Sequence, residues 1–201
     1  MDVYTFGTPN GQKIPIMLEE LGIPYNVKKI DIHKGEQKNP EFLKINPNGK
    51  IPALVDGDIV IFESVAILIY LAEKYKKFLP TEGQARYSTL EWALFQAAGV
   101  GPMLGQYGHF AVFAKDKIPY AIERYTQEAE RLLGVLEDRL KSNKFLAGEN
   151  YSIADITTFP WIRAYTVFYK QQLDEAKYPS LIRWMKEVGE RPAVQKGLSA
   201  I

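Results

Sequence analysis

Thr8 and Asn10 stand two residues apart in Thr8-Pro9-Asn10-Gly11, after the β-branched and aromatic segment Val3-Tyr4-Thr5-Phe6 and before an apolar pattern of helical spacing. At a helix N-terminus a hydroxyl and an amide lie beside free N–H groups and a partial positive charge. There they can donate hydrogen bonds to an anion such as a bound thiolate. That thiol must be borrowed. The 201 residues include no cysteine, so there is no disulfide, no thiolate metal site and no cysteine nucleophile. Taken alone, the same four residues also read as a simple cap, with Pro9 and Gly11 shaping the turn.

A second group is Asn48-Gly49-Lys50-Ile51-Pro52-Ala53-Leu54, followed by Phe62-Glu63-Ser64. A proline opening a strand has no N–H for the ladder. An Ile51-Pro52 bond in the cis form would leave the backbone of Ile51 to pair with an extended peptide-like ligand. Glu63 and Ser64 fall at a helix start, where Ser64 and the free amides can hold a carboxylate and Glu63 an ammonium. Together they would suit an amino-acid head group. Ser152-Ile153-Ala154-Asp155 reads as a capping box with a structural role. His33 and His109 have no second ligand at metal spacing, so no metal site is expected. The aromatics Trp92, Phe95, Tyr107, Phe110 and Phe113 belong to core or interface, or in part to an apolar pocket for a second substrate.

The elements that must position these residues follow from local pattern. Ile14, Met17, Leu18 and Leu21 recur at helical spacing, and Gly22 with Pro24 stops that helix. Tyr25 to Ile32 reads as a second strand, and a short helical piece spans Glu41 to Ile45. Asp56-Gly57-Asp58 between two apolar runs is a hairpin signal, and Ser64 then caps a helix to about Tyr75. This β-α-β, β-β-α order is that of a thioredoxin-like unit, expected over residues 1–76. A linker at 77–85 leads to an all-helical domain at 86–201, with helical patterns at Tyr87 to Ala98, Pro119 to Lys141, Ile153 to about Tyr169 and Tyr178 to Glu190. Lys+Arg 25 against Asp+Glu 24 gives a net charge of +1, which offers no broad footprint for nucleic acid or an anionic membrane. The longest apolar stretch, Ile59 to Leu71, is too short to span a bilayer, and the N-terminus lacks the pattern of a signal peptide. The expected compartment is the cytoplasm.

On these residues the chain resembles the cytosolic glutathione transferases. The resemblance rests on Asn46-Pro-Asn-Gly-Lys-Ile-Pro-Ala-Leu, on Glu63-Ser64 with the following Ile-Leu-Ile-Tyr-Leu helix, and on Ser152-Ile-Ala-Asp155. Thr8-Pro-Asn-Gly, Lys34-Gly-Glu-Gln37, Gly101-Pro-Met-Leu-Gly-Gln106 and Ile118-Pro-Tyr-Ala-Ile-Glu-Arg-Tyr125 look like the bacterial nu class and the related fungal nitrogen-regulator-like proteins. The resemblance implies that Thr8 and Asn10 face the sulfur of glutathione. It implies that Asn10, Gln37, Lys50, Ile51, Glu63 and Ser64 hold its peptide, and that Arg124 reaches in from the partner subunit of a homodimer. It implies glutathione-dependent disulfide reduction. Conjugation of electrophiles or reduction of organic hydroperoxides is the alternative within the family, and a non-catalytic binding or regulatory protein the alternative outside it. The rival role for Arg124 is a solvated ion pair with Glu128 one turn on.

Overall fold

The computed structural model describes all 201 residues. They form two compact units, one of Met1–Thr81 with Gly189–Ile201 and one of Glu82–Val188. In the first unit β1 (Asp2–Thr5), α1 (Pro9–Leu21) and β2 (Asn26–Lys29) form a parallel crossover with Val3 opposite Val27. A single 3₁₀ turn (Glu36–Lys38) and α2 (Pro40–Ile45) lead to the antiparallel hairpin β3 (Ala53–Asp56) and β4 (Ile59–Phe62), and α3 (Ser64–Tyr75) follows. The sheet order is β2-β1-β3-β4, with Val3 paired to Leu54 and Leu54 to Ile61. The central pair β1 and β3 carries the buried Val3, Ala53 and Leu54, while most of β4 and all of β2 are exposed at the edges. Ile14, Met17 and Leu18 of α1 and Ile67, Leu68 and Leu71 of α3 complete this core at full burial. The order and topology are those of the thioredoxin-like unit that local pattern predicts.

The second unit is helical throughout. α4 (Gly83–Phe95) runs through a widened π-type turn (Gln96–Val100) into α5 (Gly101–Tyr107), and a second such turn (Gly108–Phe113) ends the segment. α6 (Pro119–Lys141), α7 (Ile153–Val167) and α8 (Pro179–Gly189) follow. The stripe Ala129, Leu132, Leu133, Leu136 and Leu140 buries one face of α6. The capping box of α7 is present as expected, with Ser152 Oγ accepting from the Ala154 N–H and Asp155 accepting from the Ser152 N–H. Asp155 also accepts from the Trp184 indole at 2.8 Å and the Leu146 N–H at 3.0 Å.

Three features differ from the sequence expectation. The second strand is only four residues long. α5 lies where Gly99, Gly101, Pro102, Gly105 and Gly108 read as breakers; a side chain at Gly108 would meet the Tyr169 ring at 2.5 Å, so this glycine serves close packing. The third concerns residues 189–201, which group with Met1–Thr81 in the first compact unit. α9 (Pro192–Ser199) packs on α1 in the first unit, with Gly197 against the backbone of Ile16. Arg191 grips Glu20 through two bonds of 2.6 and 2.8 Å, and Lys196 pairs with Glu19 at 2.9 Å. Covered by α3 and α9, α1 buries every residue from Gly11 to Leu18, polar ones included.

Candidate functional site

The site is built where β1 hands over to α1. Thr5 Oγ1 donates to the Gly11 carbonyl at 2.8 Å, and a side chain at Gly11 would collide with the Phe6 carbonyl, so the first turn of α1 lies tightly on the end of β1. Thr8, extended at φ −105°, caps the helix: its Oγ1 accepts from the Gly11 N–H at 3.2 Å. The capping role is therefore real, and it leaves the hydroxyl's own proton to be donated elsewhere. Pro9 occupies the first helical position and Asn10 the second, both half-buried. Tyr4 packs against Phe42 at 6.1 Å between ring centroids, as a packing residue would.

A second segment lies on the same unit. Asn46, only 1% exposed, donates from its side chain to the Lys50 carbonyl at 2.6 Å and accepts from the Asn48 N–H at 3.0 Å. These bonds shape the turn that presents the exposed Lys50 and the half-buried Ile51. Ile51-Pro52 is cis, and β3 begins only at Ala53, so Ile51 stands outside the ladder. The 3₁₀ turn bearing Gln37 lies against this turn, since a side chain at Gly49 would come 3.0 Å from the Gln37 carbonyl. Gln37 Nε2 donates to Ile32 at 3.4 Å, while its Oε1 is buried with no protein partner.

At the start of α3, Glu63 adopts φ 72°, ψ 113°, a region that costs a non-glycine residue on the order of 1–3 kcal/mol. Ser64 is the first helical residue and not the cap; Glu63 occupies the cap position without a side-chain capping bond. Glu63 is exposed and Ser64 buried. Ser64 Oγ accepts instead from Lys13 Nζ at 3.2 Å, a bond within the protein between α1 and α3. Lys13 is 1% exposed, and burial pushes its pKa down to about 7, the Glu63 carboxylate opposing that shift. Sequence pattern missed Lys13, since a lysine on an amphipathic helix reads as solvated. It placed Asn46 only within a motif.

Arg124 lies in the helical unit, exposed on α6, where it lines a cavity of about 450 Å³ with Met103, Tyr125, Gln127, Glu128 and Arg131. Glu128 makes its direct bonds, two of 2.8 Å, to Arg131, and the Arg124 pairing that local spacing suggests is reduced to a longer-range attraction. Among the aromatics, Phe110 stacks on Tyr125 at 5.5 Å and Phe113 meets Tyr169 edge-on. Trp92 packs on Phe95, and Tyr107 on Tyr165 and Tyr169. His33 and His109 are exposed, each edge-on to a phenylalanine. No group of three His, Asp or Glu side chains is placed to hold a metal ion. No helix is long and apolar enough to cross a membrane.

A thioredoxin-like unit whose helix N-termini offer a hydroxyl, an amide and a Glu-Ser pair, joined to a helical unit, defines a class. Residues 1–73 match the family described as glutathione S-transferase, N-terminal domain, and residues 100–192 match glutathione S-transferase, C-terminal domain. The chain belongs to the glutathione transferase family. It is 48% identical to the disulfide-bond oxidoreductase YfcG of Escherichia coli strain K12, over 98% of this chain and 94% of that protein. It superposes with a TM-score of 0.93 on a glutathione transferase family member from Pseudomonas fluorescens pf-5, whose crystal structure has two glutathione bound; identity is 43%, over 98% of this chain and 91% of that one. A glutathione transferase from Pseudomonas putida, with one glutathione disulfide bound per subunit, gives a TM-score of 0.94 at 41% identity, over 98% of this chain and 90% of that one.

Proposed function

We propose that this chain is a glutathione-dependent disulfide-bond reductase, in which Thr8 and Asn10 donate to the sulfur of bound glutathione. The observation that carries it is the capped N-terminus of α1: a hydroxyl that accepts from Gly11 and keeps a proton to give, in a chain without a cysteine. Gln37, Lys50, Ile51, Glu63 and Ser64 hold the peptide. The buried Gln37 Oε1 offers an acceptor for a ligand N–H, and Glu63 and Ser64 match the ammonium and carboxylate of the γ-glutamyl head group. Arg124, with Glu128 taken up by Arg131, serves the site of the partner subunit in a homodimer. A cytoplasmic location belongs to this proposal, because the chemistry consumes reduced glutathione.

The thiolate of bound glutathione attacks one sulfur of a disulfide, forming a mixed disulfide and releasing the other half as a thiolate that takes up a proton. A second glutathione thiolate then attacks the glutathionyl sulfur, giving glutathione disulfide and the second substrate thiol. The two glutathiones supply both electrons. A thiol of ordinary pKa about 8.5 is mostly protonated at neutral pH, and each unit of lowering is worth about 1.4 kcal/mol of thiolate stabilisation. Two donors at a helix N-terminus are of the right size to supply one or two units. The relative named disulfide-bond oxidoreductase and the one holding glutathione disulfide support disulfide reduction with glutathione as the reading.

The test is coupled turnover of a small model disulfide with glutathione, alongside conjugation of a simple aryl halide and reduction of an organic hydroperoxide. Disulfide turnover should exceed the other two, and Thr8→Ala and Asn10→Ala should each lower it by about 10-fold or more. Uncatalysed disulfide turnover with intact glutathione binding would overturn the proposal in favour of a binding protein; faster conjugation or peroxide turnover would favour a transferase or peroxidase.

A further inference from the structure

We propose that Lys13 is a positioning residue for the ligand's amino-acid head group: its buried ammonium acts through Ser64 to hold the head-group carboxylate at the N-terminus of α3. This rests on the assignment of Glu63 and Ser64 to the glutathione head group.

Lys13 Nζ lies 3.2 Å from Ser64 Oγ, and both residues are buried. When Lys13 carries its proton it has hydrogens to give and no lone pair to accept with, so in that state the serine oxygen is the acceptor. The hydroxyl's only proton must then point away from Lys13. The first N–H groups of α3 have no partner within their own helix. Next to them, Ser64 becomes a committed donor with a positive charge behind it. Glu63 stands one residue away and is exposed, at a positive φ. The pair thus presents a cation-backed donor beside a carboxylate, complementary to the adjacent carboxylate and ammonium of an α-amino acid.

The space at this position does not by itself call for a lysine. Its helical neighbours Ile14 and Met17 are fully buried apolar side chains, and a methionine at position 13 would fill similar space without desolvating a charge. The depressed pKa of Lys13 shows that burial outweighs its attraction to Glu63 in the protein as it stands. A residue that costs stability locally and sits against a proposed ligand contact fits a binding role better than a structural one.

The experiment is calorimetric titration at about pH 6.5, where Lys13 keeps its proton, of wild type, Lys13→Met, Lys13→Gln and Ser64→Ala with two probes. One is glutathione, and the other is glutathione with its γ-glutamyl α-carboxylate converted to a carboxamide. Wild type should bind glutathione at least 10-fold more tightly than the carboxamide. Lys13→Met and Lys13→Gln should lose about 10-fold or more for glutathione and change less than 2-fold for the carboxamide. In turnover, the KM for glutathione should rise by a similar factor with kcat within 2-fold. Discrimination kept by both Lys13 variants but lost in Ser64→Ala would overturn the inference and leave the site assignment standing. Equal loss of both probes, or failure of both Lys13 variants to fold, would assign Lys13 to the fold and overturn the inference as well. No discrimination by wild type would remove the head-group assignment itself.

Discussion

Lys13 has a pH signature at the scale of a single residue. Below about 7 both the folded and the unfolded chain carry its proton, and the folded state bears the full cost of the buried ammonium. Between about 7 and the ordinary 10.5 the unfolded chain binds a proton that the folded one does not, so the Lys13 contribution to stability rises with pH across that window. Unfolding by urea at about pH 6.5 and about pH 9.5 should therefore show wild type gaining about 2 to 4 kcal/mol relative to Lys13→Met on going to the higher pH. Groups common to both proteins cancel in that comparison. A difference independent of pH would show that the ammonium stays charged throughout. Thr8 makes a related point, because capping and sulfur recognition use different parts of one hydroxyl, its lone pair for Gly11 and its proton for the ligand.

At the scale of an element, α7 depends on the carboxylate at its third residue. Asp155 Oδ1 accepts from the Leu146 N–H and the Trp184 indole, and Oδ2 from the N–H and hydroxyl of Ser152. Burial raises its pKa to about 6, with all four donors pulling the other way. Asp155→Asn keeps the shape but turns one oxygen into an amide donor, which must face at least one donor it formerly satisfied. The cost should be about 2 to 4 kcal/mol, read as a fall in the urea midpoint at unchanged slope. The same substitution at Asp138, whose only partner is the exposed Lys141, should change the midpoint little.

The assembled molecule raises the question of Arg124, whose helix neighbour Glu128 makes its direct bonds to Arg131 and feels Arg124 only through space. Within the proposed homodimer, Arg124→Ala should weaken glutathione or its disulfide by about 1 to 3 kcal/mol, the loss of a charge-assisted bond, with the association state unchanged. Calorimetry and sedimentation on the same variant check this together. A dimer of wild-type affinity would make Arg124 a surface residue, and a stable monomer of full activity would overturn the shared site.

What the sequence determined by itself is what short-range chemistry determines. Helical spacing from Ile14 to Leu21, the Asp56-Gly57-Asp58 hairpin, the Thr8 cap and the Ser152–Asp155 box all act within a few residues, and each is present in the fold. Most candidate site residues were legible for the same reason, since they fall at helix starts and turns with local signatures. Tertiary structure alone decided the rest. Lys13 and Gln12 are buried because α3 and α9 close over α1, and no periodicity in α1 reports what will cover it. α9 returns to α1 through Arg191 and Glu20, 171 residues apart in the chain. α5 survives its glycines and proline because Trp161 and Tyr169 occupy the space that side chains would have filled. Ser64 is a helical residue bonded to a buried lysine because Glu63 takes the strained turn before it. Burial and electrostatic partnership are properties of the packed chain, and they set the charge on Lys13 that the sequence left open.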